Sequence, residues 1–164
     1  MKIATFKDMY IAELQELVSA EEQLMESLLR LASVASHPEL KESLMRRREE
    51  TQVQAERLKE ILRKHGADPK AHNDQAMQVL VKETEKMLTI LKGNELRDAG
   101  LIASLLKMKH YEIAAYGTAA AFAGQLNLRE DQLMLHRSLD EERQTDALLS
   151  HLAKRAVNPK ALAS

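Results

Sequence analysis

The chain has 164 residues, of which 45% are hydrophobic and 30% are charged, with a net charge of −1 and no cysteine. The absence of cysteine excludes disulfides and thiolate metal sites, and the balanced, interspersed charges argue against a nucleic-acid partner. No stretch reaches the ~18 apolar residues of a membrane span, and the N-terminus lacks the apolar core of a signal peptide. We therefore expect a single cytoplasmic domain, residues 1–164, with no membrane association.

Local start and stop signals divide the chain into five helical segments. Thr5-x-x-Asp8 predicts the cap of the first helix, Ser36 with Glu39 predicts a capping box for the second, and Gly66 ends the second. Asn127 is the expected cap of the fifth. No stretch shows sustained strand alternation, so the sequence predicts an all-α fold. We expect an antiparallel four-helix bundle with a crossover helix between its second and third helices. The predicted segments are about 6–36, 38–65, 74–92, 95–123 and 128–156.

Two similar acidic phrases lie about ninety residues apart, REETQVQAERL at 48–58 and DEERQTDALL at 140–149. Each interrupts a stripe of leucines spaced by three and four positions, which is the face that a helical bundle buries. Similar polar interruptions fall near the midpoints of the first and fourth helices. Long helices with matched ends bring their midpoints to one level, which we call the waist. The interrupting residues are Glu21, Glu50, Gln54, Glu112, Glu142 and Asp146.

Buried carboxylates at the waist require compensation. Moving one ionised carboxylate into the interior costs several kcal/mol unless a cation pairs with it. Lys109 is the one obvious interior cation on these stripes, and Arg47 lies at the edge of the second. Protonated carboxyl groups or entering water are alternatives, but a multivalent metal ion is the simpler solution for five acids. The spacing therefore predicts a metal site.

The chain resembles the ferritin-like proteins of the YciE/YciF type. The resemblance rests on SAEEQL (19–24), EET with ERL (49–58), RDAGLIA (97–103), HYEIAAYGT (110–118) and LDEERQTD (139–146). It implies a ferritin-like bundle with a carboxylate-rich dimetal centre, a link to stress responses and a homodimer. One or two iron or manganese ions per chain are expected. The ligands that it implies are Glu21, Glu50, Gln54, Glu112, Glu142 and Asp146.

Two departures bear on that centre. Ferritin-like sites commonly use Glu-x-x-His, whereas this chain pairs Glu50 with Gln54 and Glu142 with Asp146 four positions on. An oxygen-dominated donor set favours iron or manganese over zinc or copper. The second departure is Lys109, which stands where the resemblance leads us to expect Glu and would weaken one metal position.

Three functions are open at this point. The first is a dimetal protein with oxygen or peroxide chemistry, whose status as an enzyme stays undecided. The second is a non-catalytic helical interaction protein whose waist holds a metal-free carboxylate–lysine network. The third is a mini-ferritin shell, which ranks last because the sequence has no basic tail and no recognisable mineral channel. Tyr116, one turn from Glu112, is a candidate hydrogen-bond donor to the waist.

Overall fold

The computed structural model describes residues 2–164, and every regular element within that range is helical. The prediction of an all-α fold is confirmed. The fifth predicted segment, 128–156, is α-helical as far as Leu152, where a π-helical turn at Ala153–Val157 begins. A short terminal helix follows from Asn158, beyond the predicted end. The six α-helices are α1 Phe6–Val34, α2 Pro38–Lys64, α3 Gln75–Ile90, α4 Asn94–Gln125, α5 Arg129–Leu152 and α6 Asn158–Ala163.

The long helices pack as two hairpins. Helix α1 packs mainly along α2, and α4 packs mainly along α5, while α1–α4 and α2–α5 contacts join the hairpins. Helix α3 connects the hairpins and lies against α1 and α4. None of the helices in the described part of the chain combines the length and apolar character needed to cross a membrane.

The start of α1 is the capping box expected from the sequence. The Asp8 backbone N–H donates to Thr5 Oγ1 at 3.0 Å, and the Thr5 backbone N–H donates to Asp8 Oδ2 at 2.9 Å. These reciprocal bonds satisfy donors that have no partner within the helix. The first helix therefore starts where local chemistry predicts.

The capping box predicted from Ser36 is wrong. The N-cap residue of α2 is His37, whose side chain makes no capping bond. Asp98 of α4 accepts hydrogen bonds from the backbone N–H groups of Ser36 and His37, both at 2.8 Å. A carboxylate from the other hairpin thus takes the place of the local cap.

The predicted cap of the fifth helix is also wrong. Asn127 has φ 58°, a left-handed conformation that asparagine tolerates better than most residues. Beside it, the Leu128 N–H donates to the Ala123 carbonyl at 2.9 Å, a bond typical of a helix C-terminus. Asn127 therefore ends α4, and α5 begins without a side-chain cap.

The core consists of two apolar clusters, one on each side of the waist. The first includes Leu24 and Leu105, and the second includes Leu17 and Leu139, all nearly fully buried. Burying one such side chain contributes ~1.5–3 kcal/mol, so these clusters provide the main stabilisation. The polar residues of the waist lie between the two clusters.

Candidate metal centre at the waist

Three of the six predicted ligands meet at the waist. Glu21 from α1, Glu112 from α4 and Glu142 from α5 are each fully buried. One carboxylate oxygen from each lies within 4.8 Å of the other two. This group of three buried glutamates could hold a metal ion. They meet because each lies on the buried stripe of a long helix, between the two apolar clusters.

The other three predicted ligands make contacts elsewhere. Glu50 is partly exposed and accepts a hydrogen bond from Thr145 Oγ1 at 3.1 Å. Asp146 is partly buried and lies 2.9 Å from His110 Nε2. Gln54 is buried, but its Nε2 donates outward to Glu141 Oε2 at 3.1 Å. The structure thus places these three side chains around the waist rather than within the carboxylate group.

Helix α2 presents Arg47 to the waist in place of Glu50. The buried positions of α2 around this level are Arg47, Thr51 and Gln54. Glu50 precedes Thr51 by one residue and is therefore rotated 100° from it around the helix, towards the rim. The sequence pattern placed Arg47 at the edge of the α2 stripe and Glu50 among the waist ligands, whereas the structure buries Arg47 and leaves Glu50 partly exposed.

The Arg47 guanidinium lies between two of the glutamates. Its Nη2 is 2.8 and 2.7 Å from the two oxygens of Glu112. Its Nη1 and Nη2 are 2.6 and 3.0 Å from the two oxygens of Glu142. Nη1 also lies 3.4 Å from the Gln54 carbonyl oxygen. A planar guanidinium matches paired carboxylate oxygens in this way, and Arg47 is only 4% exposed.

Lys109 provides a second buried cation. Its Nζ lies 2.6 Å from Glu142 Oε2 and 3.7 Å from Glu112 Oε2. Lys109 is 2% exposed, so its amine does not reach solvent along its flexible stem. The interior role expected for Lys109 from its position three residues before Glu112 is therefore correct.

Glu21 differs from the other two glutamates. Its Oε1 accepts a hydrogen bond from the Tyr116 hydroxyl at 2.6 Å, whereas its buried Oε2 has no hydrogen-bond partner. Burial, followed by the nearby charges of Glu112 and Glu142, raises the pKa of Glu21 well above its ordinary value. The surroundings of Glu21 thus favour its neutral form over its ionised form. Tyr116 is the donor that the sequence suggested.

Arg47 and Lys109 act on the pKa values of the other two glutamates. Burial alone would raise the pKa of Glu142, but Arg47 and Lys109 outweigh it and lower that pKa. Burial raises the pKa of Glu112, and Arg47 acts against this effect. Both Glu112 oxygens lie within hydrogen-bonding distance of Arg47 Nη2. The two cationic side chains thus offset carboxylate charge that Glu112 and Glu142 bring into the interior.

This arrangement does not fit a pair of metal ions. The guanidinium of Arg47 occupies the space that Glu112 and Glu142 enclose, and these carboxylates already accept its hydrogen bonds. The adjoining cavity, bordered by Leu24 and Met108, measures about 10 Å³, which is the size of one water molecule. A single ion that bound Glu21, Glu112 and Glu142 would compete with Arg47 for the oxygens of Glu112 and Glu142.

The fold and the waist are those of an all-helical protein whose long helices enclose a buried group of charged side chains. The chain belongs to the family described as "Domain of unknown function (DUF892)", whose model matches residues 5–162. It is 38% identical to Protein YciF of Escherichia coli (strain K12) over 162 residues, which are 98% of each chain. The resemblance to the YciE/YciF type is therefore confirmed.

Solved structures agree with this assignment. The crystal structure of the E. coli stress protein YciF matches with a TM-score of 0.90 and 37% identity, covering 95% of this chain and 99% of that one. YcfI from Rhodopseudomonas palustris matches with a TM-score of 0.88 and 31% identity, covering 91% and 95%. A protein from Xanthomonas campestris matches with a TM-score of 0.80 over 97% of both chains, and at 19% identity it shows the fold alone.

Proposed function

We propose that this chain is a ferritin-like four-helix bundle protein of the YciF stress-protein type that acts as a non-catalytic interaction protein without a metal centre. The observation that carries the proposal is the Arg47 guanidinium, hydrogen-bonded to Glu112 and Glu142 at the waist. Arg47 and Lys109 provide there the positive charge that a metal would otherwise supply. The buried network then serves the fold rather than a reaction.

Energetics support a metal-free waist. A metal ion would have to displace the guanidinium of Arg47 and lose its own hydration. The displaced guanidinium would then need another hydrogen-bonding partner. Removing one partner from a buried ion pair costs ~3–5 kcal/mol, because the remaining charge is left uncompensated. The ion would also enter a site beside Lys109, which repels it. Compensation of the carboxylates by the internal ion pairs therefore costs less free energy than compensation by a metal ion.

The descriptions of two relatives support a role in stress responses and a structural role. The relative YciF is described as a stress protein, and YcfI has been put forward as a structural protein. We extend both descriptions to this chain as part of the proposal. We also keep the expectation of a homodimer, which sedimentation velocity tests directly. Sedimentation as a closed shell of many subunits would instead support the mini-ferritin hypothesis.

Binding of iron or manganese is the second candidate function. It is favoured by one specific observation, the approach of three carboxylate oxygens to within 4.8 Å of one another. Glu21, Glu112 and Glu142 would hold one ion, and that ion would supply Lewis-acid or redox chemistry. Oxygen ligands of this kind suit both metals. This candidate requires the ion to compete with Arg47 for the oxygens of Glu112 and Glu142.

Metal analysis of the purified protein separates the two candidates. The chain is expressed with added iron or manganese, purified without chelator, and examined by elemental analysis and by thermal unfolding with and without EDTA. We expect well below one ion per chain and no change in melting temperature, because no native-state ligand is removed. One or two ions per chain, together with a lower melting temperature after chelation, would overturn the metal-free proposal.

A further inference from the structure

We infer that the waist is a guanidinium-binding site that the chain fills with its own Arg47, so that removing this side chain creates a receptor for free guanidinium ion. The inference rests on the proposed metal-free function and specifies the ligand that the same site takes.

The acceptors match one planar cation with N–H groups along its edges. Glu142 offers both oxygens to one edge of the guanidinium, and Glu112 offers both oxygens to Nη2. Gln54 adds a more distant carbonyl oxygen to Nη1 at 3.4 Å. Oxygens from three helices therefore surround one cation with N–H donors. A compact ammonium ion has a different donor geometry, and neutral urea has the shape without the charge.

Other contacts hold these acceptors in place without Arg47. Lys109 Nζ holds Glu142 Oε2 at 2.6 Å. On the opposite side, Gln54 Nε2 donates to Glu141, and Arg57 holds both oxygens of Glu141 at 2.7 and 2.9 Å. These bonds turn the Gln54 carbonyl oxygen towards Arg47. Glu142 and Gln54 should therefore keep their positions when Arg47 is shortened, as a receptor requires.

Charge and space also favour a replacement cation. Without Arg47, Glu112 and Glu142 keep Lys109 as a cationic partner, but the site loses one of its two buried positive charges. The deleted side chain adds its own volume to the cavity at the waist. A recess of about 90 Å³ between α2 and α5 already has Arg47 among its lining residues, beside Ser43 and Thr145. A small ion can enter from this recess.

The test is chemical rescue of Arg47→Ala. We expect a large loss of melting temperature, of which guanidinium chloride at low millimolar concentration restores at least half, with a saturable dependence on concentration. Sodium chloride and urea at the same concentrations should restore none, because the first lacks the directed donors and the second lacks the charge. If the variant does not fold in buffer, refolding yields with guanidinium chloride and with sodium chloride provide the same comparison.

Matched variants make the rescue specific. Leu58→Ala, on the same helix, shortens a buried side chain that is 1% exposed in an apolar cluster, so guanidinium should not rescue it. Arg47→Met fills the space without a charge and should respond little. Adding Glu142→Gln to Arg47→Ala removes a charged acceptor and should weaken the apparent guanidinium affinity at least tenfold.

Two results would overturn the inference. One is the absence of any guanidinium-specific recovery in Arg47→Ala, and the other is equal recovery with urea, which would mean simple filling of space. Neither result affects the proposed function, which depends on the metal content of the wild-type protein. Conversely, stoichiometric metal in the wild-type protein would overturn the proposed function whatever the rescue experiment shows.

Discussion

Replacing Glu142 by glutamine tests whether the buried ion pairs hold the waist together. Glu142→Gln keeps the shape of the side chain and removes the negative charge that faces both Arg47 and Lys109. Arg47 keeps its bonds to Glu112, but the glutamine offers a single oxygen to Arg47 and Lys109 together, and Glu112 Oε2 is 3.7 Å from Lys109 Nζ. The cost of breaking a buried pair is ~3–5 kcal/mol. Because the glutamine amide oxygen can still accept one of these hydrogen bonds, we expect about 3 kcal/mol, the lower end of that range.

Urea-induced unfolding followed by circular dichroism measures this loss directly. For a chain of this length, 1 kcal/mol corresponds to roughly 2–4 °C in melting temperature, so Glu142→Gln should melt about 6–12 °C lower than wild type. The slope of the unfolding free energy against urea should not change, because the surface exposed on unfolding is the same.

The neighbouring residue provides the control. Glu141 pairs with Arg57 at 2.7 Å, but the Glu141 side chain is 29% exposed. Solvent screens such pairs, and they contribute ~0–1 kcal/mol. Glu141→Gln should therefore cost at most about 1 kcal/mol. Equal losses in Glu141→Gln and Glu142→Gln, or a loss below 1 kcal/mol in Glu142→Gln, would refute the reasoning about the buried network.

Three further variants test the electrostatics, the metal chemistry and the capping. The pKa of Glu21 is raised above its ordinary 4.5, so its stabilising effect is complete below pH 4.5 and is lost as pH rises through the folded-state pKa. Glu21→Gln should remove that decline in urea titrations at successive pH values. The double variant Lys109→Glu with Arg47→Ala should bind manganese in calorimetric titrations, because it removes both cations and adds a carboxylate ligand. Lys109→Met adds no ligand and should not bind manganese. Asp98→Ala should cost about 1–2 kcal/mol in urea unfolding, because it leaves the Ser36 and His37 N–H groups without their acceptor, and Ser36→Ala should cost much less.

The helices could be predicted because their signals are local. The Thr5 cap and the glycine after α2 act within a few residues, and the leucine stripes determine which faces are buried. The two caps that were predicted wrongly depend on distant or competing partners. Asp98 reaches the start of α2 from the other hairpin, and Asn127 ends one helix where the sequence also permits it to start the next.

The site could be predicted in part. Glu21, Glu112 and Glu142 stood out because each interrupts an apolar stripe near the middle of a long helix. The residue that α2 contributes was harder to predict, because Arg47 lies in the charged run MRRREE, which is typical of a solvated helix face. Only the packing of α2 against α5 decides that Arg47 points inward while Glu50 lies towards the rim.

The repeated acidic phrase has two different roles in the structure. In α5 its second glutamate, Glu142, faces the waist, whereas the matching Glu50 of α2 contacts Thr145 near the surface. The first glutamate of the α5 phrase, Glu141, holds Gln54 and Arg57 of α2. The sequence repeat therefore does not give a symmetric site.

Compensation of the buried carboxylates by side chains of the protein itself has a thermodynamic consequence. A bound metal stabilises a protein in proportion to the logarithm of its free concentration, so the stability of a metal-dependent fold varies with metal supply. Arg47 and Lys109 belong to the chain, and their local concentration at Glu142 is fixed by the fold. A waist compensated in this way keeps the same stability when free iron and manganese rise or fall. We therefore expect the melting temperature of the wild-type protein to be independent of both metals, while Lys109→Glu with Arg47→Ala should make it metal-dependent.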